Sequence, residues 1–137
     1  MDNNSVFIEK LRSSGLRPTK QRLEICKLLF DRKKTFHFTI NYLFKILQKG
    51  TGKKISLATI YNTVHSFKEK GYLKEISVNK DKSYFDTNTS DHHHFLDINT
   101  NELIDLIFLP GKFFLIFILS TSSLFKSMSS LVFISRK

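Results

Sequence analysis

Apolar residues recur at helical spacing through the first half of the chain and then switch to alternation, and this change of period organises the whole reading. Phe7 to Ser14 forms a short amphipathic segment that stops at Gly15. Pro18 bars helix in the residue before it, and Thr19 is placed to cap a second helix that runs to about Phe30. The polar run Asp31 to Lys34 marks a loop. Thr39 caps a third helix, in which Ile40, Leu43, Phe44 and Leu47 fall at i, i+3, i+4 and i+7, and Gly50 and Gly52 end it. A fourth helix spans Ser56 to Gly71, with Ser56 as N-cap, Gly71 as the stop, and Leu57, Ile60, Val64 and Phe67 as one apolar stripe. Beyond Gly71 the period becomes two: Lys74 to Val78 and Ser83 to Asp86 read as strands joined by a turn at Asn79 to Lys82.

The face of the fourth helix opposite its stripe carries Ala58, Thr59, Tyr61, Asn62 and His65. Such a set suits a DNA major groove, because methyl and aromatic groups meet thymine methyls and an amide pairs with adenine. Helices followed by a hairpin tipped with Lys80 and Lys82 have the order of a winged helix, whose last helix enters the groove while the hairpin touches phosphates. A lysine-tipped hairpin is commonplace by itself, so the helix carries the argument. The formal charge of +10 on 137 residues agrees with a polyanionic partner, since neutralising phosphates releases counterions. A chain of this length allows one ordinary domain or two very small ones and excludes a long multidomain enzyme.

Candidate chemistry concentrates at Asp91-His92-His93-His94, which holds three of the five histidines. In an extended segment His92 and His94 share one face and His93 takes the other. A metal site would therefore combine one or two of them with donors from elsewhere, the candidates being His37, Asp86 and Glu102. Imidazole suits zinc, ferrous iron and haem iron, whereas carboxylates favour harder ions. The one cysteine, Cys26, lies in an apolar helical pattern and reads as a core residue; it excludes an intrachain disulfide and a C-x-x-C structural zinc site. No glycine-rich phosphate loop, nucleophile elbow or H-E-x-x-H motif occurs, so no enzymatic activity is expected. The polar start of the chain shows no signal peptide, which makes the cytoplasm the expected compartment.

Three ordered motifs, G-L-R-P-T-K-Q-R at Gly15 to Arg22, S-L-A-T-I-Y-N-T at Ser56 to Thr63 and Y-F-D-T-N-T-S-D-H-H-H-F at Tyr84 to Phe95, resemble the ferric uptake regulator family over about residues 7 to 105. The likeness is closest to its haem-responsive iron response regulator branch. The resemblance implies an α+β protein, a winged-helix DNA-binding domain over residues 1–87 followed by an α/β dimerisation domain that begins at residues 88–105. It implies an iron- or haem-responsive repressor of iron and haem metabolism genes, acting as a homodimer on double-stranded, A·T-rich operator DNA. Position by position, Tyr61 matches a base-contacting tyrosine, Ala58 and Thr59 belong to the same face, and Asn62 stands where many members carry arginine. Arg17 takes the place of the basic residue that enters an A·T-rich minor groove, and Thr19, Gln21, Arg22, Ser56, Lys80 and Lys82 complete the expected DNA-binding set. His37 matches a histidine ligand of the regulatory metal site, and Asp86 replaces the glutamate usual there. The cluster His92, His93, His94 corresponds to the haem-associated histidines of that branch, so haem, iron or another divalent metal is the expected cofactor.

The likeness ceases after Glu102 to Leu106, where the composition changes. The 32 residues after Asp105 contain no Asp, Glu, Asn, Gln or His but seven serines and six of the fourteen phenylalanines. We read residues 106–137 as an aberrant, out-of-frame replacement that truncates the dimerisation domain. Within it, Phe113 to Leu119 reads as a strand with no evident pairing partner, and it is too short to span a membrane. The competing expectation is a degenerate winged helix that binds DNA weakly, without effector control or stable dimerisation.

Overall fold

The computed structural model describes residues 3–50, 55–79, 82–108, 115–117 and 130–134, and it divides into two compact units, Met1–Thr89 and Ser90–Lys137. The first unit runs α1 (Asn3–Ser13), α2 (Lys20–Phe30), β1 (His37–Phe38), α3 (Ile40–Gly50), α4 (Leu57–Glu69), β2 (Lys74–Asn79) and β3 (Lys82–Asp86). Its helices begin and end where local chemistry dictates. Thr19 Oγ1 accepts from the Arg22 N–H at 3.3 Å, Thr39 Oγ1 from Tyr42 at 3.2 Å and Ser56 Oγ from Thr59 at 3.1 Å, so each cap satisfies an amide the helix cannot. Helix α4 ends in a Schellman turn: Gly71, at φ 73°, donates to the Lys68 carbonyl and Tyr72 to that of Phe67, both at 2.9 Å. Gly15 closes α1 in the same way.

Leu11, Ile25, Leu29, Leu43, Ile60, Val64 and Phe67, each at most 1% exposed, form the core between the helices, and Phe38 and Phe85 seal it from the sheet side. Two details differ from the sequence reading. Leu57 is 46% exposed, and the buried stripe of α4 is Ile60, Thr63, Val64 and Phe67. Thr63 tolerates full burial because its hydroxyl donates to the Thr59 carbonyl at 2.7 Å. Helix α1 starts at Asn3, before Phe7.

The three strands of this unit are ordered β1-β3-β2 and pair antiparallel. Strand β1 has only two residues, too few for an alternating signal, which is why periodicity misses it. The β2–β3 hairpin has an irregular register between Ser77 and Asn79, and its tip, Lys80 and Asp81, lies outside the described residues. A Lys68–Glu75 ion pair ties α4 to β2; the hydrogen bond from Lys68 holds the Glu75 carboxyl below its ordinary range.

Cys26 is fully buried, and burial pushes its thiol up to about 11. The native protein should therefore resist a thiol-specific chromogenic reagent at pH 8, with labelling appearing only across the denaturation transition. Stoichiometric labelling of the folded protein within minutes would contradict this burial.

In the second unit, β4 (His93–Asp97), β5 (Glu102–Phe108), β6 (Leu115–Phe117) and β7 (Leu131–Ile134) form an antiparallel sheet ordered β6-β5-β4-β7. Asp97 shapes the β4–β5 turn by accepting from Asn99 at 2.8 Å and Thr100 at 3.4 Å, and the Asn99 N–H holds its carboxyl below the ordinary range. Asn101, at φ 59°, completes the reversal. The phenylalanine-rich stretch does have a partner: Leu115, Ile116 and Phe117 pair with Phe108, Ile107 and Leu106. Sequence inspection could not reveal this, because strand pairing is set by contacts far apart in the chain. The flanking Phe113, Phe114, Ile118 and Leu119 lie outside the described residues. Among the described residues, no helix is long and apolar enough to cross a membrane.

Candidate nucleic-acid interface and metal donors

Burial of Ile60, Thr63, Val64 and Phe67 turns the other side of α4 to solvent. Ser56, Ala58, Tyr61 and Asn62 are exposed, and Thr59 and His65 are half-buried. The face is ordered before any ligand arrives: the Ser56 and Thr59 hydroxyls hydrogen-bond at 2.8 Å, and the Tyr61 ring lies over that of His65 with centroids 4.2 Å apart. From Ser56 to His65 it presents methyl, phenol, hydroxyl and amide groups without a carboxylate, a set that can meet base edges.

Arg17 is exposed in the loop before α2, and the Arg22 guanidinium donates to its carbonyl at 3.0 Å. Arg22 thus braces the loop that presents Arg17. Thr19 is committed to capping α2, while Gln21 is half-buried on its first turn. Lys82 is half-buried with its ammonium 5.2 Å from the centre of the Tyr84 ring; Lys80 lies outside the described residues.

Among the described residues, each unit contributes its own metal-donor side chains. In the first, His37 and Asp86 are cross-strand partners of β1 and β3, with His37 Nε2 3.4 Å from Asp86 Oδ2. Asp86 is fully buried, and its other oxygen accepts from the Asn88 N–H at 2.8 Å. In the second, Asp105 Oδ1 lies 3.0 Å from His92 Nε2 and 3.4 Å from His94 Nε2, and the His92 and His94 rings are 4.4 Å apart. Register explains this set. His94 faces Asp105 directly across β4 and β5, and His92, two residues back, shares its side.

The donor chemistry of the second set fits a cation. His92 Nδ1 meets the Ser90 carbonyl at 2.9 Å and must donate there, which in the neutral ring leaves the Nε2 lone pair aimed at a carboxylate oxygen. Two such lone pairs opposed at 3.0 Å repel unless a proton or a metal ion lies between them. A ligating imidazole whose other nitrogen donates to a backbone carbonyl is also the usual arrangement of metal-bound histidine. Two imidazoles and a carboxylate suit ferrous iron, manganese or zinc.

His93 and Glu102, both weighed from sequence, stand apart from this set: the ring of His93 packs against Phe133 at 5.5 Å, and Glu102 is exposed at the start of β5. Asp105 is the donor that sequence inspection passed over. A signal existed, since it is a carboxylate enclosed by Leu103, Ile104, Leu106 and Ile107, in the apolar part of the strand.

Known proteins resemble this chain on both counts, sequence and shape. The model of the Ferric uptake regulator family matches residues 13–108. The Peroxide operon regulator of Bacillus subtilis (strain 168) is 35% identical over 104 residues, covering 76% of this chain and 69% of that protein. The chain spans about two thirds of the length of such curated relatives. The Vibrio cholerae ferric uptake regulator structure matches at TM-score 0.61 and 28% identity, covering 73% of this chain and 76% of that one. A zinc-bound manganese uptake regulator matches at TM-score 0.59 and 29% identity, with 76% of each chain covered.

Proposed function

The chain belongs to the ferric uptake regulator family, a family of transcriptional regulators and not of enzymes, and from that premise we propose that it is a metal-responsive repressor that binds operator DNA as a homodimer. The observation that carries this reading is the exposed N-terminal half of α4, where Ala58, Tyr61 and Asn62 present no carboxylate, on a helix whose Ile60, Thr63, Val64 and Phe67 are fully buried. In this reading Tyr61, Asn62, Ala58 and Thr59 meet base edges in the major groove. Arg17 reaches into an A·T-rich minor groove, and Lys82, with Lys80, approaches phosphates.

The effector in this reading is iron, which His92, His94 and Asp105 of the second unit would hold; His37 and Asp86 are the first unit's own pair of donors. Bound ferrous iron would supply redox sensitivity; the residues supply two neutral nitrogens, one negative charge and, through Ser90, a fixed tautomer of His92. Peroxide, the signal in the name of the Bacillus subtilis relative, is the first to test against this set, because ferrous iron held by two histidines and one carboxylate would be open to reaction with an oxidant. Haem, expected from the triple histidine, draws less support: His93 faces away from His92 and His94 and packs on Phe133.

Gel-shift titration in the presence of Mn2+, on a duplex selected by the wild-type chain from a random pool, tests the reading face. Tyr61→Ala should lose about 1–3 kcal/mol of specific affinity and little non-specific affinity; unchanged specific affinity would remove Tyr61 from the interface. A haem titration of the same protein, with and without His92→Ala/His93→Ala/His94→Ala, separates the effectors, since a Soret band that vanishes in the triple variant would restore haem over the bare ion.

A further inference from the structure

Tyr61 is the largest side chain on the reading face and is 52% exposed, a situation in which a tyrosine ordinarily exchanges rotamers on the ps–ns timescale. Here a support lies beneath it. His65, one turn further along α4, meets its ring at 4.2 Å with the planes inclined by 30°. His65 is in turn edge-on to Phe85 of β3, at 5.8 Å and 78°. Phe85 is 3% exposed and stacks on its cross-strand partner Phe38, 1% exposed, at 5.7 Å. A continuous column of rings therefore rises from the core of the first unit to the exposed face of α4, and His65 is the member that joins buried to exposed.

We propose that His65 is a positioning residue for DNA readout, one that presets the Tyr61 ring for the major groove by supporting it from one side against the buried Phe85. This rests on the reading of Tyr61 as a base contact. A long basic side chain at position 65 would extend past the ring towards phosphate; imidazole is short and flat, and it spends its surface on Tyr61 and Phe85 instead. Ordering Tyr61 in the free protein lowers the entropy lost on binding, so the gain falls on specific complexes, in which the ring must adopt one pose.

The test uses the full chain, the selected duplex and a scrambled duplex of equal composition, with folding of each variant checked by thermal melting. His65→Ala should weaken binding to the selected duplex by about 2- to 10-fold, the range of an aromatic pair, and leave the scrambled duplex unaffected. Tyr61→Ala/His65→Ala should bind no more weakly than Tyr61→Ala, because the support has nothing left to position. His65→Phe, which keeps a ring and loses both nitrogens, should restore most of the affinity. His65→Asn serves as the non-aromatic variant if the alanine form melts early. Unchanged binding in the non-aromatic variants, additive losses in the double variant, or failure of His65→Phe to rescue would each overturn the proposal, the last because it would mean that the imidazole nitrogens contact DNA themselves. If Tyr61→Ala alone leaves the selected duplex bound as tightly as before, the reading of the interface fails first.

Discussion

Asp105→Ala is expected to weaken Mn2+ binding by at least about 100-fold in calorimetric titration, because losing only an outer-shell partner commonly costs 10- to 100-fold. Asp105 supplies the only carboxylate oxygen in its set and stands within 3.4 Å of both imidazole nitrogens. Without it, two neutral nitrogens face a dication alone. Asp105→Asn separates charge from geometry: it retains an oxygen at the same place, so it should bind more tightly than Asp105→Ala and far more weakly than the wild type. The strand should persist in both variants, since β5 is held by backbone pairing to β4 and β6 and by the buried Leu103, Ile104 and Leu106. A dissociation constant for Asp105→Ala within threefold of wild type would place the ion elsewhere.

Phe67→Ala should be the most damaging core substitution, with a loss of about 3–5 kcal/mol. Phe67 is fully buried in α4, edge-on to Phe30 at 5.4 Å and to Tyr72 at 6.2 Å. It therefore joins α2, α4 and the turn into β2, and alanine leaves a cavity that three elements line. Against the 5–15 kcal/mol that holds an ordinary domain together, this loss brings the first unit close to unfolding. Urea titration followed by helical circular dichroism measures it, and a shift of less than about 1 kcal/mol would show that the ring is not the keystone its burial indicates. Leu57→Ala, on the same predicted stripe but 46% exposed, is the matched control and should cost little.

The helices of the first unit were legible from residue order because their signals are local. Thr19, Thr39 and Ser56 cap amides three positions away, and Gly15 and Gly71 supply the positive φ that ends α1 and α4. The exposed face of α4 was legible for the same reason: Ala58, Tyr61 and Asn62 follow once the period of α4 and its buried side are known. Even there, periodicity misjudged Leu57, since it reports which residues share a face and not where along the helix the core begins.

The donor set was only half legible. Alternation in an extended segment placed His92 and His94 together and His93 apart, a property of neighbouring residues. The choice of Asp105 over Glu102 came from elsewhere: both lie on β5, but the antiparallel register sets Asp105 opposite His94 and Glu102 opposite Asp97. A shift of one residue would have turned Asp105 to the other side of the sheet. The strand at Leu115–Phe117 is of the same kind, an apolar run whose partner no local pattern names. Residue order thus determined the helices, their caps and the exposed face of α4, which depend on interactions within a few positions, and the family, which short ordered motifs identify. Register and the convergence of the carboxylate with the histidines depended on the folded sheets, where residues distant in the chain become neighbours.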